Sequence, residues 1–181
     1  MELTERTLES KTVFSGRILT VKVDAVRLPN GGQSTREVVE HPGGVCVLAL
    51  RDDGTVPLVR QFRYPVGRPL LELPAGKLER GEQPRPAALR ELEEEVGLVP
   101  AKLTDLGALY TSPGFSQEVI HLYLAQELTQ VPTHPDADEF LEIEYLPFET
   151  LLGMVMDGVI VDGKTATAVL KAKLMMEGGS L

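Results

Sequence analysis

Cysteine is nearly absent: the 181 residues contain one, Cys46. A lone thiol forms no internal disulfide and builds no thiolate metal cluster. Tryptophan is missing and aromatics make up 5% of the chain. The few tyrosines and phenylalanines are not interleaved with basic residues, as a base-stacking surface requires. Cations are the minority, with 18 Lys and Arg against 27 Asp and Glu and a net charge of −9. That balance excludes nucleic acid as a passive electrostatic partner, because phosphate contacts need clustered Lys and Arg. No apolar run approaches the roughly eighteen residues of a membrane span. The N-terminal stretch MELTERTLESKTV is acidic and polar, unlike a signal or transit peptide. Together these absences point to a cytoplasmic protein of one domain, with room for a short dimerising arm. An acidic protein can still act on a phosphorylated substrate if a divalent cation bridges the two.

What is present begins with strand signals. RILTVKVDAVRL (17–28) alternates apolar and polar residues, PNGG (29–32) is a turn, and QSTREVVEH returns. The spacing predicts a long N-terminal hairpin and an arm over residues 1–42, with the main domain over 43–181. GGVCVLAL (43–50) is a continuous β-rich apolar run, as expected of a strand buried on both faces. VPLVRQFRY (56–64) and LLEL read as further strands, LTDLGALYT and EVIHLYLAQEL as a strand pair around SPGFSQ, and EFLEIEYLP as a last strand. Helices are predicted from Pro84 to the stop at Gly97 and near 147–157 and 165–177. Strands that do not alternate with helices predict an α+β fold, with helices on a mixed sheet.

The helix beginning at Pro84 carries an unusual charge. Glu91 and Glu95 lie four residues apart and Glu94 three from Glu91, so the three share one helix face. Ala88, Leu89, Leu92 and Val96 recur at helical spacing toward a core. Like charges one turn apart repel by a few tenths of a kcal/mol each, roughly. A solvated face balanced by Arg85, Arg90 and Lys77 is one reading; a site for a hard cation such as Mg²⁺, Mn²⁺ or Ca²⁺ is the other. The preceding loop PAGKLERGE, with Gly76 and Gly81, favours the second, because it forms a loop–helix unit that brings backbone carbonyls to the charges.

Gly76, Glu82, Arg90-Glu91-Leu92, Glu94-Glu95 and Gly97-Leu98 match the Nudix box, G-x5-E-x7-R-E-U-x-E-E-x-G-U with U aliphatic, without a gap or substitution. The sequence therefore resembles the Nudix hydrolases, which cleave nucleoside diphosphates linked to another group. The resemblance implies an α/β/α sandwich and Mg²⁺ or Mn²⁺ held by Glu91, Glu95 and the Ala75 carbonyl, with Glu94 beside them. Gly76, Glu82, Arg90 and Gly97 would organise loop and helix. Outside the box, Ser112-Pro113-Gly114 with Glu118, the segment RQFRYPVGRPLLELPAG, the hairpin with Arg36, and MVMDGVIVDGKTATAVLKAKL resemble ADP-ribose pyrophosphatases. That similarity implies hydrolysis of ADP-ribose to AMP and ribose 5-phosphate, with GDP-mannose or another nucleoside diphosphate sugar as the alternative substrate and a non-hydrolysing ADP-ribose-binding module as a remoter one. It also implies a homodimer through a swapped N-terminal arm.

On the same resemblance, Arg63 would hold a phosphate or ribose-side oxygen and Arg36 would reach the partner's substrate. Ile18 would flank the adenine, and the Pro113-Gly114 loop would shape the substrate site. The family often carries a catalytic acid within a string such as EDE before the late strand. Here the string is DADE, Asp136 to Glu139. Glu139 is the expected base, with Asp138 or Glu94 as the alternatives. His41, His121 and His134 are scattered and read as core or loop residues, and Cys46 as core packing.

Overall fold

The computed structural model describes residues 2–134 and 140–179. Glu139 and Asp138, the expected bases on the DADE string, lie outside the described residues. Two compact units are present, Met1–Gly43 with Tyr110–Val119, and Gly44–Leu109 with Ile120–Leu181.

The first unit is an antiparallel sheet in the order β1 (Arg6–Ser15), β2 (Thr20–Arg27), β3 (Gln33–Glu40). Strands β2 and β3 are the expected hairpin. Its turn closes through the Leu28 N–H donating to the Gly32 carbonyl at 2.8 Å, with Gly31 at φ +85°. Strand β1 was not anticipated, for a physical reason: all of its residues are exposed, so no buried face imprints an alternation on the sequence. The segment carrying Pro113 and Gly114 is fastened to β3. The Val39 N–H donates to Phe115 O at 2.7 Å and the Gln117 N–H to Val39 O at 3.1 Å.

The second unit is built around β4 (Gly44–Ala49), buried at every position as the apolar run predicts. It lies between β7 (Ala75–Lys77), antiparallel, and β9 (Val119–Gln130), parallel, with β8 (Leu98–Tyr110) beyond β9. A second sheet has the order β10 (Glu142–Pro147), β5 (Thr55–Arg63), β6 (Arg68–Glu72). Because side chains alternate along a strand, β4 feeds two cores. Val45, Val47 and Ala49 pack with Ala87, Ala88, Leu92 and Val96 of α1 (Pro84–Val96). Cys46 and Leu48 pack with Phe148 and Leu151 of α2 (Phe148–Met156) and Ala168, Val169 and Ala172 of α3 (Gly163–Glu177). Helices thus cover both faces of the mixed sheet, the α+β sandwich expected. Each fully buried Leu or Val contributes about 1.5–3 kcal/mol. The Cys46 thiol is buried, and burial pushes its pKa up, as suits a packing residue.

Helix α1 starts on Pro84, where a missing N–H costs nothing, and stops on Gly97 in the left-handed region at φ +66°. A Cβ on Gly97 would stand 2.3 Å from the Val131 carbonyl oxygen. That carbonyl belongs to the segment following β9, which is tied to the helix end: the Val131 N–H donates to Gly97 O at 2.8 Å and the His134 N–H to Glu94 O at 3.1 Å. Two independent penalties therefore meet at one glycine. Gly97→Ala is expected to lower stability by about 2–4 kcal/mol, from left-handed backbone strain plus overpacking. Urea denaturation of the two proteins measures it, and a loss under about 0.5 kcal/mol, the range of an ordinary surface change, would refute this account of the helix stop.

Candidate active site

The loop between β7 and α1 is closed by a single side chain. Arg90 donates from Nε to Glu82 Oε1 at 3.0 Å, and from Nη2 to Glu82 Oε2 at 3.0 Å and to the Lys77 carbonyl at 3.3 Å. Its Nη1 reaches Glu91 Oε1 and Glu94 Oε2, both at 2.9 Å. All five guanidinium N–H donors thus have an acceptor. Hydrogen bonding to Glu82 holds the Arg90 pKa above its usual value and the Glu82 pKa below. Glu82 also accepts the Glu79 N–H at 2.9 Å, which fixes the turn before the helix.

The glutamate face is not a solvated one. Glu91 and Glu95 are 7% and 3% exposed. A Cβ placed on Gly76 would lie 1.9 Å from the Glu91 carboxyl carbon, so the absence of a side chain there is what leaves room for this carboxylate. Glu95 Oε2 accepts the Ala75 N–H at 2.9 Å. Both carboxylates therefore converge on the Ala75–Gly76 backbone, which β4 holds in register through Cys46 and Val45. Among the described residues no three His, Cys, Asp or Glu side chains form a ready metal cage. The two buried carboxylates offer oxygen donors, which suit a hard divalent cation.

Residues 40–166 match the Nudix domain, and residues 5–39 match the nucleoside diphosphate sugar hydrolase N-terminal domain. The chain belongs to the Nudix family. It is 47% identical over 169 residues to an ADP-ribose pyrophosphatase of Bacillus subtilis (strain 168), covering 92% of this chain and 91% of that one. It is 43% identical to a methanol dehydrogenase activator of Bacillus methanolicus, over 91% of this chain and 90% of that one. A GDP-mannose pyrophosphatase of Yersinia enterocolitica is 36% identical, over 78% and 79%. The solved structure of an ADP compounds hydrolase superposes with a TM-score of 0.85 at 23% identity, over 99% of this chain and 98% of that one, which fixes the fold. Nudix hydrolases generally need divalent cations, in keeping with the oxygen donors found here.

Beside the Nudix box lies a polar network that sequence reasoning missed. Glu72, at the end of β6, is 1% exposed. Arg63 grips it side-on, Nε to Oε1 at 2.8 Å and Nη2 to Oε2 at 2.7 Å. Lys164 in the first turn of α3 donates to Glu72 Oε2 as well and to Asp162 Oδ1 at 3.0 Å. Asp162 caps α3 through the Thr165 N–H at 3.0 Å, and Thr165 Oγ1 in turn accepts the Leu73 N–H at 3.0 Å. The N-cap half of this network was readable, since Asp162 stands immediately before the helix as an N-cap, three residues ahead of Thr165 in DGKT. The pairing with Glu72 was not, because 92 residues separate the partners.

The other expected site residues fall as follows. Glu94 is half-buried and bound to Arg90. Arg63 is the one arginine expected at the substrate that stands in the second unit, anchored by Glu72. Ile18, Arg36, Pro113 and Gly114 stand in the first unit. Ile18 is 46% exposed in the bend between β1 and β2. Arg36 is engaged by Glu5 through Nε at 2.9 Å and Nη2 at 2.5 Å, and by Ser34 Oγ and the Thr35 carbonyl through Nη1. Pro113 and Gly114 form the turn in which the Phe115 and Ser116 N–H groups donate to Ser112 O.

Burial alone would raise the Glu72 carboxyl pKa, but the Arg63 hydrogen bonds and the Lys164 charge outweigh it and hold the pKa below the usual carboxylate value. A carboxyl depressed in the folded state stabilises fully above its unfolded pKa, about 4.3 for Glu, and loses that contribution as pH falls through the folded value. The stability gap between the wild type and Glu72→Gln is therefore expected to be constant from neutral pH to about 5 and to shrink below about 4. Thermal or urea melts across this range read it; a gap that widens on acidification would contradict the pairing.

Proposed function

We propose that the protein hydrolyses the pyrophosphate of ADP-ribose to AMP and ribose 5-phosphate, with Mg²⁺ or Mn²⁺ as the cation. The observation that carries this reading is the convergence of two buried carboxylates, Glu91 and Glu95, on the Ala75–Gly76 backbone. Glu91, Glu95 and the Ala75 carbonyl would hold the cation. When bound, it would neutralise the pyrophosphate in an acidic site and lower the pKa of water. Glu139 or Glu94 would take the proton of the attacking water. Arg63 would hold a phosphate oxygen of the substrate: Glu72 uses only Nε and Nη2, so Nη1 stays outside the fork with two N–H donors.

Ile18, Arg36, Pro113 and Gly114 would supply recognition of the nucleoside and ribose. The homodimer through the N-terminal arm belongs to the same proposal. It is supported by Leu8, Val13, Phe14 and Ile18 standing 45–55% exposed on that sheet and its turn. A cytoplasmic site of action fits the lone buried thiol and the lack, among the described residues, of a helix long and apolar enough to cross a membrane. GDP-mannose is the second reading, favoured by the Yersinia relative.

A panel of ADP-ribose, GDP-mannose, ADP-glucose, NADH, diadenosine polyphosphates and oxidised deoxynucleoside triphosphates, assayed with Mg²⁺ for phosphate-bearing products, tests the substrate. ADP-ribose is expected to lead, and a clear lead for GDP-mannose would replace the first reading by the second. Glu95→Gln is expected to lower kcat by at least about a hundredfold at saturating Mg²⁺ with the fold intact by circular dichroism, a loss of about 2.7 kcal/mol in the transition state. Near-wild-type turnover in that variant would sink the cation-site assignment.

A further inference from the structure

We infer that Lys164, together with Asp162, is a positioning residue for substrate binding that acts through Glu72 on the Arg63 guanidinium. The inference rests on the proposed substrate role of Arg63 and names what keeps that arginine in place.

The chain of contacts is continuous. Lys164 is 14% exposed and reaches one oxygen of a carboxylate that is itself 1% exposed. Arg63 binds both oxygens of the same carboxylate with Nε and Nη2, sharing Oε2 with Lys164. A guanidinium facing a carboxylate has two geometries available, side-on through Nε and one Nη, or end-on through both Nη groups. The side-on fork seen here leaves Nη1 for another acceptor; the end-on fork would turn Nη1 into the carboxylate.

Lys164 biases the choice. Its ammonium occupies the Oε2 side of Glu72, fixes the carboxylate plane and satisfies part of its charge, so Arg63 needs only one edge of its guanidinium there. Asp162 in turn aims Lys164, with Oδ1 on its ammonium at 3.0 Å while Oδ2 caps the helix. The four charges, Arg63 and Lys164 against Glu72 and Asp162, sum to zero. Without Lys164 a buried carboxylate would have one cation left, and the remaining guanidinium would be drawn further onto it.

The first turn of α3 is also locked to the strand end through the Leu73 N–H on Thr165 Oγ1. This second tie holds the backbone ahead of Ala75 when the Lys164 charge is removed, so loss of positioning and loss of fold can be separated.

The test compares the wild type, Lys164→Met, Lys164→Arg, Arg63→Ala and the Lys164→Met/Arg63→Ala double variant. Two readouts are taken: the Kd of ADP-ribose and of GDP-mannose by calorimetry in EDTA, and KM and kcat with Mg²⁺ on whichever substrate leads the panel. Lys164→Met is expected to raise Kd and KM by about tenfold while changing kcat by less than about threefold, the signature of lost uniform binding. Lys164→Arg is expected to restore most of the loss, since it returns a cation to Glu72. In the Arg63→Ala background the Lys164 change is expected to have no further effect, because its route is already cut.

A Kd and KM within about twofold of wild type in Lys164→Met, or an equal rise in the Arg63→Ala background, would overturn the inference. Should Lys164→Met fail to fold by circular dichroism, Lys164→Gln, which keeps a donor without the charge, is read against the same criteria. A wild type that binds ADP-ribose and turns over nothing defeats the hydrolase reading while the Kd series still decides on Lys164. A wild type that binds neither ligand overturns both.

Discussion

Carboxylates buried beside an apolar sheet are the constraint on which the larger unit depends. Glu72, Glu91 and Glu95 are each under 10% exposed, within reach of cores built on β4. An ionised carboxylate taken out of water costs several kcal/mol, roughly, unless paired and hydrogen-bonded. Each of the three meets that cost differently. Glu72 has two cations, Glu91 has the Arg90 guanidinium, and Glu95 receives a backbone N–H from Ala75. The polar network is the condition under which helix and sheet can close with negative charge between them.

The backbone makes that closure possible at two points. Gly44 lets β4 approach β7 closely, since a Cβ there would lie 2.7 Å from the Gly76 carbonyl oxygen. Gly76 then leaves the volume that the Glu91 carboxylate fills. The alternation along β4 that splits the core in two also sets the register of Ala75 and Gly76, opposite Cys46 and Val45. The position of the carboxylates is thus a consequence of core packing. Substitutions that shift β4 by a fraction of an ångström would be felt at the site as much as in stability.

Much of this was legible in the chain. The run 43–50 announced a strand buried on both faces and became β4, and helix α1 ended where Gly97 said it would. The box marked Glu82 and Arg90 among the residues that organise loop and helix, and the two are joined at both carboxylate oxygens. What escaped is instructive because each omission has a physical cause. Strand β1 has no buried face, so its pairing with β2 leaves no periodic trace in the sequence. Glu72 read as one acid in a short strand, because its cations come from β5 and from α3, 92 residues downstream. The glutamate face read as exposed or metal-bound from charge alone; that Gly76 admits Glu91 to the interior is a fact of three-dimensional spacing.

The arginines of the chain differ in kind, and counting donors shows how. A guanidinium has five N–H groups. Arg90 spends all five, on Glu82, Lys77, Glu91 and Glu94, so any new ligand must displace one of these partners. It is a brace. Arg36 spends four, two of them on the Glu5 carboxylate, and keeps one Nη2 N–H. Arg63 spends two, both on Glu72, from a side chain that remains 36% exposed. Of the three it keeps the most donors, three, while being held by a buried carboxylate. Rigid support with donors to spare is what recognition of a phosphate requires, since a pre-placed guanidinium loses less entropy on binding than one that must be ordered by its ligand. If Arg63 binds a phosphate as proposed, an exposed, mobile Glu72 would compete for its guanidinium, whereas the buried Glu72, paired with Lys164 as well, holds the arginine by one edge only.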